Sequence, residues 1–330
     1  MSSTQRTLSL ALQGISNFFT KGPFCVSFEV TYCCNAHCKH CHLGGAVDNE
    51  VRAGADRYAE ICRKIKPVTA QVSGGEPLLR KDIEEIIEKL RVPNKGPYII
   101  LTTNATLLNK DKYLRLRRAG VDEFSISLDY PDERHDNFRR VPGLFQKIVD
   151  LLEGIQEIKD KRVTLSCVVQ KQNFRELIKL AEFARKWNVH MNFSAYTWLR
   201  TDNKDEYMLT KEEIPTFKKI INQLKLHKRK FKTVNTSNFV FDKMIEFFET
   251  QSIGNCKAGE RFIVVNPDGT FSPCGLIIKK YNSKKEMQKD FLNYNDCSYC
   301  YTSIRGNSEK SAKYLIKDSL RSILDYSQAI

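Results

Sequence analysis

Eleven cysteines dominate the reactive inventory of this 330-residue chain, and eight of them fall in two groups. Cys33, Cys34, Cys38 and Cys41 crowd one segment, while Cys256, Cys274, Cys297 and Cys300 gather near the C-terminus. Thiolates are ligands for soft metals and iron–sulfur clusters, so both groups point to metal-centred chemistry. The first group admits two registers. Cys33, Cys38 and Cys41 give C-x4-C-x2-C, the spacing of plant-type two-iron ferredoxins; Cys34, Cys38 and Cys41 give C-x3-C-x2-C, three thiolates for a four-iron cluster. The latter leaves one iron without a protein ligand, and an open coordination position distinguishes a catalytic metal site from a closed structural one. Spacing alone does not choose between them. Cys25, Cys62 and Cys167 sit singly among apolar residues and read as packing.

Further polar segments follow in order: Ser73-Gly74-Gly75-Glu76-Pro77, Thr102-Thr103-Asn104, Ser125-Ile126-Ser127-Leu128-Asp129, and DERHDNFRR at 132–140. Paired glycines let a backbone approach a ligand closely, and an acidic side chain beside them accepts hydrogen bonds from an ammonium group. With the cysteine loop, these segments make the region 24–196 resemble the radical S-adenosylmethionine (radical SAM) superfamily. The resemblance implies that Cys34, Cys38 and Cys41 hold a 4Fe-4S cluster and that S-adenosylmethionine chelates its fourth iron. One electron then cleaves the cofactor to methionine and a 5'-deoxyadenosyl radical that abstracts a substrate hydrogen. By the same resemblance, His40 lies near the adenine, Gly74, Gly75 and Glu76 bind the methionine amino group, and Asn104, Ser127 and Asp129 face ribose, carboxylate or substrate. Segment 163–173 departs from the family by lacking a glycine-rich pattern, which leaves the adenine contacts to Val169 or to 192–196.

Twelve residues separate Cys256 from Gly269, and four separate Gly269 from Cys274. The turn Asn266-Pro267-Asp268-Gly269 folds two short strands back so that the cysteines meet. This opening resembles the family's auxiliary-cluster modules, SPASM with two clusters and Twitch with one. Cys297 and Cys300 supply two more thiolates, and no cysteine follows, so the resemblance implies one auxiliary 4Fe-4S cluster held by Cys256, Cys274, Cys297 and Cys300, with structural zinc as the alternative for four thiolates.

The elements that must position these residues read as alternating β-branched runs (24–31, 68–73, 98–103, 121–128, 163–169, 189–194) and amphipathic stretches. The clearest helix places Phe145, Ile148, Val149, Leu152 and Ile155 on one stripe. Six such units imply an α/β fold, a partial (β/α)6 TIM-like barrel, followed by a small cysteine-rich β-hairpin-plus-helix module. The expected organisation is an N-terminal amphipathic helix at 1–22, a core barrel at 23–200, a helical connection at 201–254, and the auxiliary module at 255–330 with a final helix carrying Ile316, Leu320, Ile323 and Leu324.

Composition narrows the class. A 41% hydrophobic fraction exceeds that of disordered chains, and no run is long and apolar enough to span a membrane. The N-terminus does not read as a signal peptide, so a cytoplasmic, reducing compartment is expected. The net charge of +14 raises nucleic acid as a partner, but scattered basic residues and the absence of a binding module argue against it. Partners implied are a peptide or small-molecule substrate and a flavodoxin- or ferredoxin-type reductant. Leu8, Ala11, Leu12, Ile15, Phe18 and Phe19 share one face of the first helix, which either closes an end of the barrel or makes peripheral membrane contact, giving access to a lipid or isoprenoid.

Overall fold

The computed structural model describes residues 3–91, 96–277 and 279–310. The C-terminal helix expected around 316–324 lies outside them. In chain order the elements are α1 (Ser3–Phe19), β1 (Cys25–Thr31), α2 (Ala55–Ile65), β2 (Thr69–Gly74), α3 (Ile83–Arg91), β3 (Tyr98–Thr103), α4 (Lys110–Ala119), β4 (Glu123–Ser127), α5 (Arg134–Arg139), α6 (Leu144–Gly154), β5 (Val163–Val169), α7 (Leu177–Lys186) and β6 (His190–Ala195). They continue with α8 (Lys204–Tyr207), α9 (Ile214–Phe231), α10 (Asn238–Thr250), β7 (Phe262–Val265), β8 (Phe271–Ser272), α11 (Lys284–Phe291) and α12 (Ser303–Ser308).

Strands β1 to β6 pair in parallel with their sequence neighbours. The six expected units therefore form a partial barrel. Alternation along each strand sets its two faces. Val26, Phe28, Val30, Val72, Leu101, Phe124 and Ile126 point outward, fully buried in the core beneath the helices. Inward positions are small and polar instead. Ser27 hydrogen-bonds Ser73 (3.0 Å), Gln71 donates to Thr102 (3.0 Å), and Ser125 hydrogen-bonds Ser166 (2.9 Å). Closed barrels fill this space with branched apolar side chains. Short polar side chains leave it open.

Two features extend the expected plan. The hairpin β7–β8 pairs in parallel with β1 through β7, so the sheet order is β6-β5-β4-β3-β2-β1-β7-β8. The segment expected as an appended module is thus continuous with the barrel sheet. The reason is the free backbone edge of β1, which β7 satisfies. At the opposite end, α1 lies across the strand starts. Arg6 Nη1 and Nη2 donate to both Asp122 carboxylate oxygens (2.6 Å each), and Asn17 Nδ2 donates to the Pro23 and Lys66 carbonyls. The expected single apolar face of α1 is split by this docking. Leu10, Ala11, Gly14 and Phe18 face the barrel interior, Ile15 and Phe19 border its mouth while remaining largely exposed, and Leu8 and Leu12 are exposed away from it.

Candidate active site

One cavity of about 1360 Å³ occupies the barrel interior. Cys34, Cys38 and Cys41 line it at the carboxyl ends of the strands, and Cys256, Cys274, Cys297 and Cys300 line the side nearest β1 and β7. Residues separated by more than two hundred positions thus share one chamber.

The loop after β1 is held from several directions. Cys34 and Gly45 exchange backbone hydrogen bonds (2.9 and 2.8 Å), Lys39 N donates to Phe138 O (3.1 Å), and Tyr207 Oη donates to Lys39 O (2.9 Å). Two donors approach the sulfurs: Asn104 Nδ2 lies 3.9 Å from Cys34 Sγ, and Arg139 Nη1 lies 3.7 Å from Cys38 Sγ. Burial pushes the Cys34 thiol up to about 11 and also raises Cys38, against which Arg139 pulls. The sulfurs therefore give up their protons on binding a metal cation rather than spontaneously. Cys33 is absent from the cavity lining. Its Sγ accepts hydrogen bonds from Val47 N (3.2 Å) and Arg52 Nη2 (3.3 Å) instead.

The Gly74-Gly75 turn lies directly against this loop. Gly75 N donates to Thr31 O and Glu76 N donates to Cys33 O. Gly74 has φ of 132°, and a Cβ there would sit 2.1 Å from Thr31 O; on Gly75 it would sit 2.2 Å from Cys33 O. Only glycine fits either position. Both line the cavity, as do His40, Asn104 and Ser127. His40 stacks on Phe138 with centroids 4.8 Å apart, and its buried Nδ1 has no protein partner. Burial and nearby Arg139 hold this imidazole neutral.

Three of the expected contact residues stand outside the cavity lining. Glu76 is fully buried and outside the lining, because its carboxylate accepts from Leu78 N (3.0 Å), Thr103 Oγ1 (2.8 Å) and Asn104 N (2.7 Å). It therefore fixes the turn and the β3 end. Asp129 is likewise fully buried and pairs with Arg139 (2.7 Å to Nε), so Arg139, which sequence reasoning left within a charged segment, is the group that reaches the cavity. Val169 points away from the cavity, while Val168, Asn192, Ala195 and Tyr196 face it.

The C-terminal thiols gather around Cys256, Ala258 and Phe262, with Cys25 packed beside them. Cys256 and Cys297 hydrogen-bond each other, which lowers the proton affinity of Cys297 while raising that of Cys256. Arg305 is fully buried next to them. It donates to the carbonyls of Cys300, Ile253 and Gly254 (each 2.7 Å) and pairs with Glu309. A buried guanidinium offsets thiolate charge, and nothing local in the sequence marks Arg305 for that part. Among the described residues, no three His, Cys, Asp or Glu side chains converge on a single-ion position.

Glu29 completes the chamber. It projects inward from β1, and a Cβ on Gly275 would lie 2.8 Å from its Oε1, so the carboxyl reaches toward the backbone beside Cys274. Burial raises it to about 7, with Arg200 opposing.

Residues 28–184 match the Radical SAM superfamily. Members of this superfamily use a 4Fe-4S cluster and S-adenosylmethionine. The three cavity-lining thiols, two of them with side-chain donors beside them, and the glycine turn packed directly against their loop fit such a cluster and cofactor. Relatives include the AdoMet-dependent heme synthase of Methanosarcina barkeri, 34% identical over 57% of this chain and 55% of that one. The probable GTP 3',8-cyclase of Sulfolobus acidocaldarius is 32% identical over 48% of this chain and 51% of its own length. The chain spans about half the length of these relatives. Streptococcus suis SuiB bound to S-adenosylmethionine shares the fold, with a TM-score of 0.64 at 17% identity over 87% of this chain and 70% of SuiB.

Proposed function

We propose that this chain, which carries a Radical SAM superfamily domain, is an enzyme that reductively cleaves S-adenosylmethionine and abstracts hydrogen from a peptide or small molecule held in its cavity. The observation that carries this reading is the single chamber bounded by both cysteine groups. Cys34, Cys38 and Cys41 would hold the 4Fe-4S cluster at the strand ends, and Cys256, Cys274, Cys297 and Cys300 a second one across the chamber. When bound, these groups supply the one-electron reduction and the radical that a protein side chain does not provide. The chain's own residues orient and exclude water. The Gly74-Gly75 backbone would admit the methionine amino group, Arg139 would offset its carboxylate, His40 on Phe138 would border the adenine, and the Ser and Thr hydroxyls of the strands would meet substrate. Relatives named for heme synthesis and GTP cyclisation, and a SuiB structure bound to its precursor peptide, support a small-molecule or peptide substrate.

A second substrate reading, a lipid or isoprenoid, draws on the apolar end of the cavity, where Leu10, Ala11, Gly14 and Phe18 of α1 line it. We place the protein in the cytoplasm with a flavodoxin- or ferredoxin-type reductant; none of its described helices is long and apolar enough to cross a membrane. The deciding measurement is anaerobic incubation of reconstituted, reduced protein with S-adenosylmethionine. Release of 5'-deoxyadenosine is expected, and its absence at full cluster loading marks an electron carrier instead. Iron analysis of the same sample should give about eight irons per chain; about four with one zinc removes the second cluster.

A further inference from the structure

The outer stripe of α1 is left largely in solvent: Leu8 and Leu12 lie outside the cavity lining, and Ile15 and Phe19 border its mouth. Leu8, Leu12, Ile15 and Phe19 recur at four-, three- and four-residue steps, so they form one line along the helix. They are 56%, 58%, 50% and 79% exposed, although the same helix is anchored to the barrel through Arg6 and Asn17. A docked helix that keeps four large apolar side chains in water has a second surface to meet.

Topology decides what surrounds that stripe. Each helix between parallel strands ends where the next strand begins, which is the end that α1 covers. The last turns of α2, α3, α4, α7 and α9 carry Arg63 and Lys64, Lys89 and Arg91, Arg117 and Arg118, Arg185 and Lys186, and Lys228 to Lys230. Cations at these positions complement the helix dipoles, and the parallel arrangement gathers them on one face of the molecule. Lys21, Arg63, Lys66, Arg118, Lys186 and Arg229 are exposed there. Of the acidic groups on this end, Asp122 is engaged by Arg6 and Arg91 and Asp160 by Arg162; α6 is the exception to the cationic ends, with no basic residue in its last turn and Glu153 and Glu157 exposed. An apolar stripe within a ring of cations is complementary to a surface that is anionic outside and apolar just beneath.

We propose that the strand-start face of the barrel docks on anionic phospholipid bilayers, with Leu8, Leu12, Ile15 and Phe19 inserted among the acyl chains and the helix-end cations on the headgroups. This holds whichever substrate the chamber takes. It places the cluster loop away from the bilayer and the α1 end of the cavity against it.

The test is co-sedimentation of the full-length protein with phosphatidylcholine vesicles, with and without about one-third phosphatidylglycerol, at low and high salt. Binding should require the anionic lipid and weaken with salt. Leu8→Glu/Leu12→Glu should reduce affinity about tenfold or more, since each buried methylene contributes to insertion. These substitutions are on the surface, so an unchanged circular-dichroism melt is the accompanying control. Absence of binding to anionic vesicles at low salt overturns the proposal. Equal binding by the double variant also overturns it, because charge alone is then sufficient. So does light scattering that finds a wild-type dimer and a monomeric double variant, because the stripe is then covered by a second copy.

Discussion

At the residue scale, two adjacent cysteines have opposite surroundings. Cys34 faces the chamber with the Asn104 amide beside it, while Cys33 faces Arg52 and the Val47 amide. Cys34→Ala should therefore lose one cluster's share of the absorbance and of the electron paramagnetic signal, with iron falling from about eight to about four per chain, and Cys33→Ala should keep both clusters; the reverse pattern would overturn the register. Glu29 makes a separate prediction through proton linkage. Its carboxyl is raised from its ordinary 4.5 to about 7, so between these values the folded state binds more protons than the unfolded state, and stability falls as pH rises through this window. Glu29→Gln removes that slope. Denaturant melts from pH 4.5 to 8 should show the variant gaining on the wild type until pH passes about 7; parallel curves would show that the carboxyl is not held this way.

Among the elements, the segment around α12 is the most dependent on one side chain. Arg305 satisfies three carbonyls and pairs with Glu309 at full burial. Arg305→Met keeps the volume and removes every donor, leaving those carbonyls and the Glu309 carboxylate uncompensated. We expect a loss of about 3 kcal/mol or more in urea melts, because uncompensated buried groups are costly. A change below about 0.5 kcal/mol would fit an ordinary surface substitution and refute the role. The strands βαβ by βαβ were legible because their apolar side is set by local alternation, as in Val26, Phe28 and Val30. The inner side was not. Nothing in the spacing of Ser27, Gln71 and Ser125 announces that all three face one cavity, since that follows from barrel closure.

For the whole molecule, β7 joins the C-terminal cysteines to the barrel by pairing with β1, the edge of the six parallel barrel strands. A chain cut after residue 254 would expose the β1 edge and the contacts of Phe262, Ile263 and Val265. It should not fold cooperatively. A soluble 1–254 fragment with a sharp thermal transition by circular dichroism would instead establish two independent units. The charge has a comparable global origin. The excess of 14 positive charges is dispersed along the sequence, and only the parallel topology collects the helix-end cations on one face.

The sequence by itself narrowed the cysteine loop to two ligand registers and determined the glycine turn after β2 and the succession of βα units, because ligand spacing, backbone permissiveness and side-chain periodicity are local properties. Tertiary structure decided that Arg139 rather than Asp129 reaches the cavity, that the Glu76 carboxylate is internal, that Arg305 stands beside the C-terminal thiols, and that both cysteine groups share one chamber. Each of these depends on pairings between residues far apart in the chain, whose energies arise only once the sheet brings them into contact.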